Sequence, residues 1–265
     1  MFSTFKVDSN VLLSFYSMDY TSRSRLLLKK DGLDKLAYKH VAIFGAGGVG
    51  GAVIEALARS GIKELSLIDD DIICVTNLNR QIISLTSNIA ELKVEAYKKR
   101  ILDIDKNIVV HTYPLFFDSS NINDIPFKDF DYIVDAIDTI SSKILLVELS
   151  NKYNISLISA MGAANKLNPM GFMVSDIFKT EMDPIAKIMR YELRKRNIHS
   201  LKVVYSKEKP LECEYFIDED CIYKNKCKDR CHINKKKNIP GTVAMVPNAM
   251  GLLIASEVIK DLLEE

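Results

Sequence analysis

The chain has 265 residues, 48% of them hydrophobic and 27% charged, values ordinary for a soluble globular protein with a core large enough to need no staples. A formal net charge of +1 points to no class of partner, and five cysteines, an odd number, argue against a disulfide framework. The N-terminus has no basic start leading into a continuous apolar run, so no signal peptide is expected. The longest apolar stretch, VAMVPNAMGLLIASEVI, is broken by Pro247, Asn248 and Glu257, so no membrane span is expected and the expected compartment is the cytoplasm.

The predicted elements alternate. His40–Phe44 is a short apolar run that ends in glycines and reads as a buried strand. Val49–Ser60 has helical spacing and stops at Gly61. Strands follow at Leu65–Asp69, Ile108–Tyr113, Asp131–Ala136 and Ser156–Met161, with helices at Leu92–Ile104 and Ser141–Tyr153 between them. Apolar strands alternating with helices predict an α/β fold, a Rossmann-like and mostly parallel sheet covered by helices on both faces. Beyond Gly162 the pattern loosens. Phe172–Ile177 and Val203–Ser206 read as strands, and between them lies a helix with Asp183 as N-cap and Pro184 at its first position. Residues 207–239 form a long polar loop, Thr242–Val246 reads as a further strand, and Ala249–Leu263 closes the chain as a helix.

Charge is uneven. Residues 187–237 hold 15 Lys/Arg against 8 Asp/Glu, a net of +7, which leaves −6 for the remainder. Such a segment suits either a polyanionic partner or a solvated loop.

Gly45-Ala46-Gly47-Gly48-Val49-Gly50 is a G-x-G-x-x-G turn between a strand and a helix. Gly45, Gly47, Gly48 and Gly50 would allow backbone to approach phosphate at a helix N-terminus. Asp69, with Asp71 just beyond it, ends the next strand, where a carboxylate can take ribose hydroxyls. These features fit a dinucleotide enzyme as well as an ATP enzyme. Arg80 and Lys93 favour ATP. Two cations behind the ribose strand have no use in hydride transfer, but they stabilise a pyrophosphate leaving group when a carboxylate is adenylated. Asp138, just past the fourth strand, is suited to hold Mg²⁺.

GAGGVG, LIDDDIICVTNLNRQ, LKVEA and DAIDT resemble the adenylation domain of the ThiF, MoeB and ubiquitin-activating-enzyme superfamily. The resemblance implies one adenylation domain over residues 1–265, with a nucleotide-binding half at 40–161 and a substrate-side half at 162–265. It also implies Asp69 on ribose, Asn77, Arg80 and Lys93 on phosphates, Gln81 in the same pocket, and Asp138 on Mg²⁺. A homodimer is implied too, in which Arg23 reaches the neighbour's ATP; Arg25 is the rival for that position.

RSRLLLKKDGLDKL, SAMGAANKLNP, DIFKTEMDPIAKIMRYELRK, KVVYSKEKP and IPGTVAMVP are similar to the tRNA threonylcarbamoyladenosine dehydratase branch of that superfamily. This implies ATP-dependent activation of the carboxylate of threonylcarbamoyladenosine in tRNA, then closure to the cyclic form. A sulfur-mobilising partner is a further implication. In this setting Lys187, Arg190 and Arg194, spaced to share one helix face, are candidate contacts to tRNA phosphates. The late cysteines, Cys213, Cys221, Cys227 and Cys231, are spaced C-x7-C-x5-C-x3-C with His232 adjacent, without the C-x-x-C pairs of zinc-bearing relatives. They are candidate ligands for zinc or an iron–sulfur cluster, or free thiols. Cys74 reads as a small core residue. Three alternatives remain: activation of a ubiquitin-like sulfur-carrier protein, an NAD(P) oxidoreductase, and a nucleotide-sensing scaffold without turnover.

Overall fold

The computed structural model describes residues 18–214 and 240–264. Among these residues seven strands form one sheet in the order β3-β2-β1-β4-β5-β7-β6. They are β1 (His40–Phe44), β2 (Glu64–Ile68), β3 (Val109–Tyr113), β4 (Tyr132–Asp135), β5 (Ser156–Ala160), β6 (Phe172–Asp176) and β7 (Lys202–Ser206). All pairings are parallel except β6 with β7, so the fold is the expected mixed, mostly parallel α/β sheet. Its central strands β1 and β4 are buried at every position, as continuous apolar runs require when both faces are covered.

The chain leaves β1 in one direction to β2 and β3, then returns to place β4 on the other side of β1. Right-handed crossovers put the intervening helices on opposite faces. α2 (Gly48–Arg59) and α3 (Lys93–Ile104) follow β1 and β2, and α4 (Ile140–Tyr153) follows β4. α5 (Pro184–Lys195) packs against α4, and α6 (Met245–Glu264) packs along α2. Gly251 makes the α2–α6 approach possible, since a Cβ there would lie 2.3 Å from the Val49 carbonyl oxygen. α6 is further tied to the sheet by Tyr132, whose hydroxyl donates to Asp261 at 2.6 Å, and by Lys202 on the same carboxylate.

Strand and helix bounds fall within a residue or two of those read from the sequence, with two exceptions. Thr242–Val246 is not a strand: residues 240–243 run without regular structure and α6 begins at Met245. Its valines suggested a strand ended by Pro247, but Pro247 sits in the first helical turn, where its missing N–H would have had no partner anyway. Ser22–Ala37, to which no element was assigned, forms α1, two helical stretches joined across a break at Lys29 (φ 60°, ψ 177°). Its apolar residues follow no single stripe, and Leu26 and Leu27 are 86% and 81% exposed, so helical periodicity was not legible. Among the described residues no helix is long and apolar enough to cross a membrane.

Candidate active site

The glycine turn lies at the carboxyl ends of the central strands. Gly45 has φ +93° and donates its N–H to the Ile68 carbonyl at 2.8 Å, which ties the turn to β2. A Cβ on Gly45 would sit 2.5 Å from the Ala136 carbonyl oxygen, and one on Gly50 only 1.8 Å from the Gly45 carbonyl oxygen. These two glycines allow backbones to cross. Gly47 is different: a Cβ there would meet nothing closer than Gln81 Nε2 at 3.8 Å. Gly48 begins α2; a Cβ there would meet the Pro247 ring at 3.1 Å and Arg80 Cγ at 3.8 Å. The first-turn N–H groups of α2 have no intrahelical partner, and Gln81 and Arg80 lie near this turn.

Asp69 closes the turn from β2. Its carboxylate accepts from Ala46 N at 2.6 Å and from Asp71 N at 2.8 Å. Burial pushes its pKa up, and the nearby Lys93 charge opposes that. Lys93 is the first residue of α3 and is itself buried. Its Nζ lies 2.7 Å from Asp71 Oδ2. The cation and both carboxylates thus form one cluster at the carboxyl end of β2.

Between them the chain makes a short 3₁₀ turn, Val75–Asn77. The Asn77 side chain accepts from Cys74 N at 2.9 Å, which shapes the turn. Cys74 is buried, as expected. Arg80 donates through Nη1 to the Thr76 carbonyl at 2.8 Å and to Asn79 Oδ1 at 2.9 Å. Burial lowers its pKa. Two asparagines join the Arg80 region to the start of α6 and the residues before it: Asn79 donates to the Thr242 carbonyl at 3.1 Å and Asn248, in the first turns of α6, to the Arg80 carbonyl at 3.0 Å.

Asp138 is exposed just past β4, with Thr139 donating to it at 3.3 Å. Beneath it lies a group that sequence reasoning missed. Asp135 and Lys143 are fully buried and 3.0 Å apart. Lys143 also donates to the Ala160 carbonyl at 2.7 Å, and the Ser159 hydroxyl donates to Asp135. The other Asp135 oxygen accepts from Ile137 N at 3.2 Å, fixing the turn that carries Asp138. The signal was present: Lys143 occupies the apolar stripe of α4, i+3 from Ile140 and i−4 from Val147.

The later segments meet on one wall beyond β5. Asp183 accepts from Gly162 N and from Ala186 N, both at 3.0 Å, so the N-cap of α5 also holds the loop after β5. The buried Lys166 donates to the Gly162 carbonyl at 2.8 Å; burial lowers its pKa while Asp183 and Glu208 raise it. Glu208 accepts from Leu167 N at 2.9 Å and Asn168 N at 3.1 Å. Asn165 N donates to the Gly241 carbonyl at 2.8 Å. Lys166 and Glu208 were not singled out from sequence, where both look like solvated charges.

Other candidates lie apart. Arg23 is exposed on the first turn of α1, and Arg25 lies 3.6 Å from Asp19. On α5, Lys187 and Arg194 are exposed, and Arg194 stands over the Phe178 ring at 5.4 Å. Arg190 is half-buried and donates to the Thr180 carbonyl at 3.0 Å, so it already has a partner inside the protein. Cys213 is an exposed free thiol 3.1 Å from Asn165 Oδ1. Cys221, Cys227, Cys231 and His232 lie outside the described residues.

A parallel sheet with a glycine turn over a helix N-terminus, and cations gathered behind its second strand, defines a nucleotide-binding α/β protein of the ubiquitin-activating-enzyme type. The chain matches the ThiF family over residues 21–265, and it belongs to that family. It is 40% identical over 245 residues to the tRNA threonylcarbamoyladenosine dehydratase of Bacillus subtilis (strain 168), covering 92% of this chain and 94% of the relative. The enzyme of the same name from Escherichia coli (strain K12) is 34% identical over 186 residues, 70% of this chain and 69% of the relative. The structure is similar to the crystal structure of that E. coli dehydratase, TcdA, in complex with ATP, with a TM-score of 0.78, 28% identity, and coverage of 92% and 94% of the two chains.

Proposed function

We propose that this protein is an ATP-dependent tRNA threonylcarbamoyladenosine dehydratase built as one adenylation domain. The observation that carries the reading is the wall beyond β5. The segments that set the dehydratase branch apart, around Gly162–Asn168, Asp183–Lys187 and Glu208, are hydrogen-bonded to one another beside the carboxyl end of the sheet. The near-full-length similarity to the B. subtilis dehydratase supports the same reading.

In this reading ATP lies across the glycine turn, its ribose at Asp69 and its phosphates toward the α2 N-terminus, Asn77, Arg80, Gln81 and Lys93. The substrate carboxylate attacks the α-phosphorus, the bond to the β-phosphate breaks, and pyrophosphate leaves. A nitrogen of the same modified nucleoside then attacks the acyl carbon, loses its proton, and AMP leaves. The net change in the nucleoside is loss of one water. Ring closure needs no protein thiol, because the nucleophile is already tethered. Arg80, held by Thr76 and Asn79, offers fixed positive charge where the pyrophosphate charge develops. Lys93 would exchange its Asp71 contact for phosphate. An exposed carboxylate at the end of β4, backed by a rigid buried pair, suits Mg²⁺, which takes few protein oxygens and keeps phosphate and water ligands. Bound there by Asp138, it would supply charge neutralisation.

The tRNA would approach the β5–α5 side, with Lys187 and Arg194 toward its phosphates and Arg190 anchoring the segment before α5. We further propose a homodimer in which Arg23 serves the neighbouring site, a cytoplasmic location, and a sulfur-mobilising protein as a partner. The decisive experiment is mass spectrometry of nucleosides after tRNA carrying threonylcarbamoyladenosine is incubated with the protein, ATP and Mg²⁺. The modified nucleoside should lose one water, and Asp138→Ala or Arg80→Ala should abolish the change. An unchanged nucleoside, with ATP–pyrophosphate exchange appearing on addition of a sulfur-carrier protein, would overturn the reading.

A further inference from the structure

At the opposite end of the sheet from the nucleotide loops, three neighbouring strands present His40, Glu64 and His111. His40 is in register with Glu64, and Ser66 with His111, so all four side chains share one face of the sheet. Glu64 Oε1 stands between the imidazoles, 2.9 Å from His111 Nε2 and 3.6 Å from His40 Nδ1. One nitrogen or oxygen atom from each residue falls within a common 4.8 Å.

We propose that His40, Glu64 and His111 form a binding site for a divalent transition-metal ion of the zinc class, assigned to neither ATP chemistry nor the late cysteines. Ligands about 2.1 Å from a tetrahedral zinc ion lie roughly 3.4 Å from one another, and the two distances to Glu64 bracket that spacing. The His40 ring is held in place on its far side. Its Nε2 lies 2.9 Å from Ser66 Oγ, and Phe130 meets it edge-on at 5.0 Å. With Nε2–H donating to Ser66, the Nδ1 lone pair faces Glu64, the orienting contact that metal-binding histidines require. Glu64 and His111 are 42% and 41% exposed, which leaves an entry path and room for a water ligand. Two imidazoles and a single carboxylate select Zn²⁺, Co²⁺ or Ni²⁺ over Mg²⁺ or Ca²⁺.

The site lies one strand length, roughly 15 Å, from the glycine turn. A metal there clamps β1, β2 and β3 together without touching the nucleotide, and it is independent of the dehydratase reading.

The test uses the full chain, stripped with a chelator and titrated with ZnCl₂ by calorimetry at neutral pH, beside Glu64→Gln and His111→Ala. The wild type should bind one Zn²⁺ at this site, and each variant should lose about tenfold or more in affinity. Zn²⁺ should raise the melting temperature of the wild type but not of the variants. Bound Co²⁺ should show weak d–d bands with no thiolate charge-transfer band. ATP-dependent turnover by Glu64→Gln should match the wild type. Equal Zn²⁺ affinity and equal thermal shift in wild type and Glu64→Gln would overturn the proposal. So would the absence of saturable binding, or a Co²⁺ spectrum of thiolate character alone. If His111→Ala does not fold, the near-isosteric Glu64→Gln decides the matter.

Discussion

Around β1 and β2 the functional groups are set by backbone. Gly45 and Gly50 let chain segments cross, Ala46 and Asp71 amides grip Asp69, and side-chain contacts, Lys93 with Asp71 and Arg80 with Asn79, add to that frame. Around β4, β5 and the later segments the same task falls to side chains. Lys143 bridges Asp135 and the end of β5, Asp183 clamps two loops, and Glu208 takes two amides of the loop after β5. A backbone-built site tolerates few changes at its glycines and many around them. A site built from buried charges depends on each partner being present.

The largest effect expected from this contrast is at Lys143. Lys143→Met removes one partner of a fully buried pair and leaves Asp135 uncompensated, so it should cost about 3–5 kcal/mol of folding stability in urea unfolding. Adding Asp135→Asn should recover part of that loss. A single-variant cost below about 1 kcal/mol would break the comparison, because the β4–β5 side would then not depend on its buried charge.

The glycine turn sharpens it from the other side. Gly50→Ala forces a Cβ against the Gly45 carbonyl and should cost about 1–3 kcal/mol or more together with ATP affinity. Gly47→Ala meets open space toward Gln81, so it should change stability by no more than about 1 kcal/mol and weaken ATP alone. Calorimetric ATP titration beside thermal unfolding separates the two; equal behaviour of both variants would show that the crossing is not what the glycines serve.

A smaller effect tests the junction of the two regions. Asn79→Ala removes both the contact to the Arg80 guanidinium and the link to Thr242. A loss of about 1 kcal/mol in transition-state stabilisation, roughly fivefold in kcat/KM for ATP, is expected with the fold intact.

The smallest is a pH effect. Burial raises the Asp69 pKa, so on acidification it takes up a proton before exposed aspartates do. ATP affinity should therefore begin to fall at a pH above the ordinary carboxylate range. The stability linkage has the opposite sign. A carboxyl whose folded pKa is raised contributes stability at low pH and loses it as pH rises through the folded value, so protonating Asp69 does not itself unfold the chain. Asp69→Asn should flatten the ATP-affinity profile across that window; an unaltered profile would remove Asp69 from the ribose.

Much was legible in the chain before any fold was drawn. Five strands of the nucleotide half, their parallel pairing and the turn at Gly45–Gly50 follow from apolar runs punctuated by glycine, because local sterics and burial period act over a few residues. Asp69, Arg80, Lys93 and Asp138 could be named from their spacing to that turn, and the structure brings them to the carboxyl ends of β1, β2 and β4. Other facts depended on tertiary contact. Lys143 is an ordinary helix lysine until β4 and β5 bury it against Asp135, and Arg190 an ordinary surface cation until Thr180 folds back under it. His40, Glu64 and His111 are scattered over 72 positions of sequence, and only the strand register makes them neighbours. The α6 start at Met245 belongs here too: valine and proline favour a strand ended by a break, and packing against Gly48 and α2 made them the first turn of a helix instead. Local propensity decides what a segment can be, and the burial energy of its partners decides what it becomes.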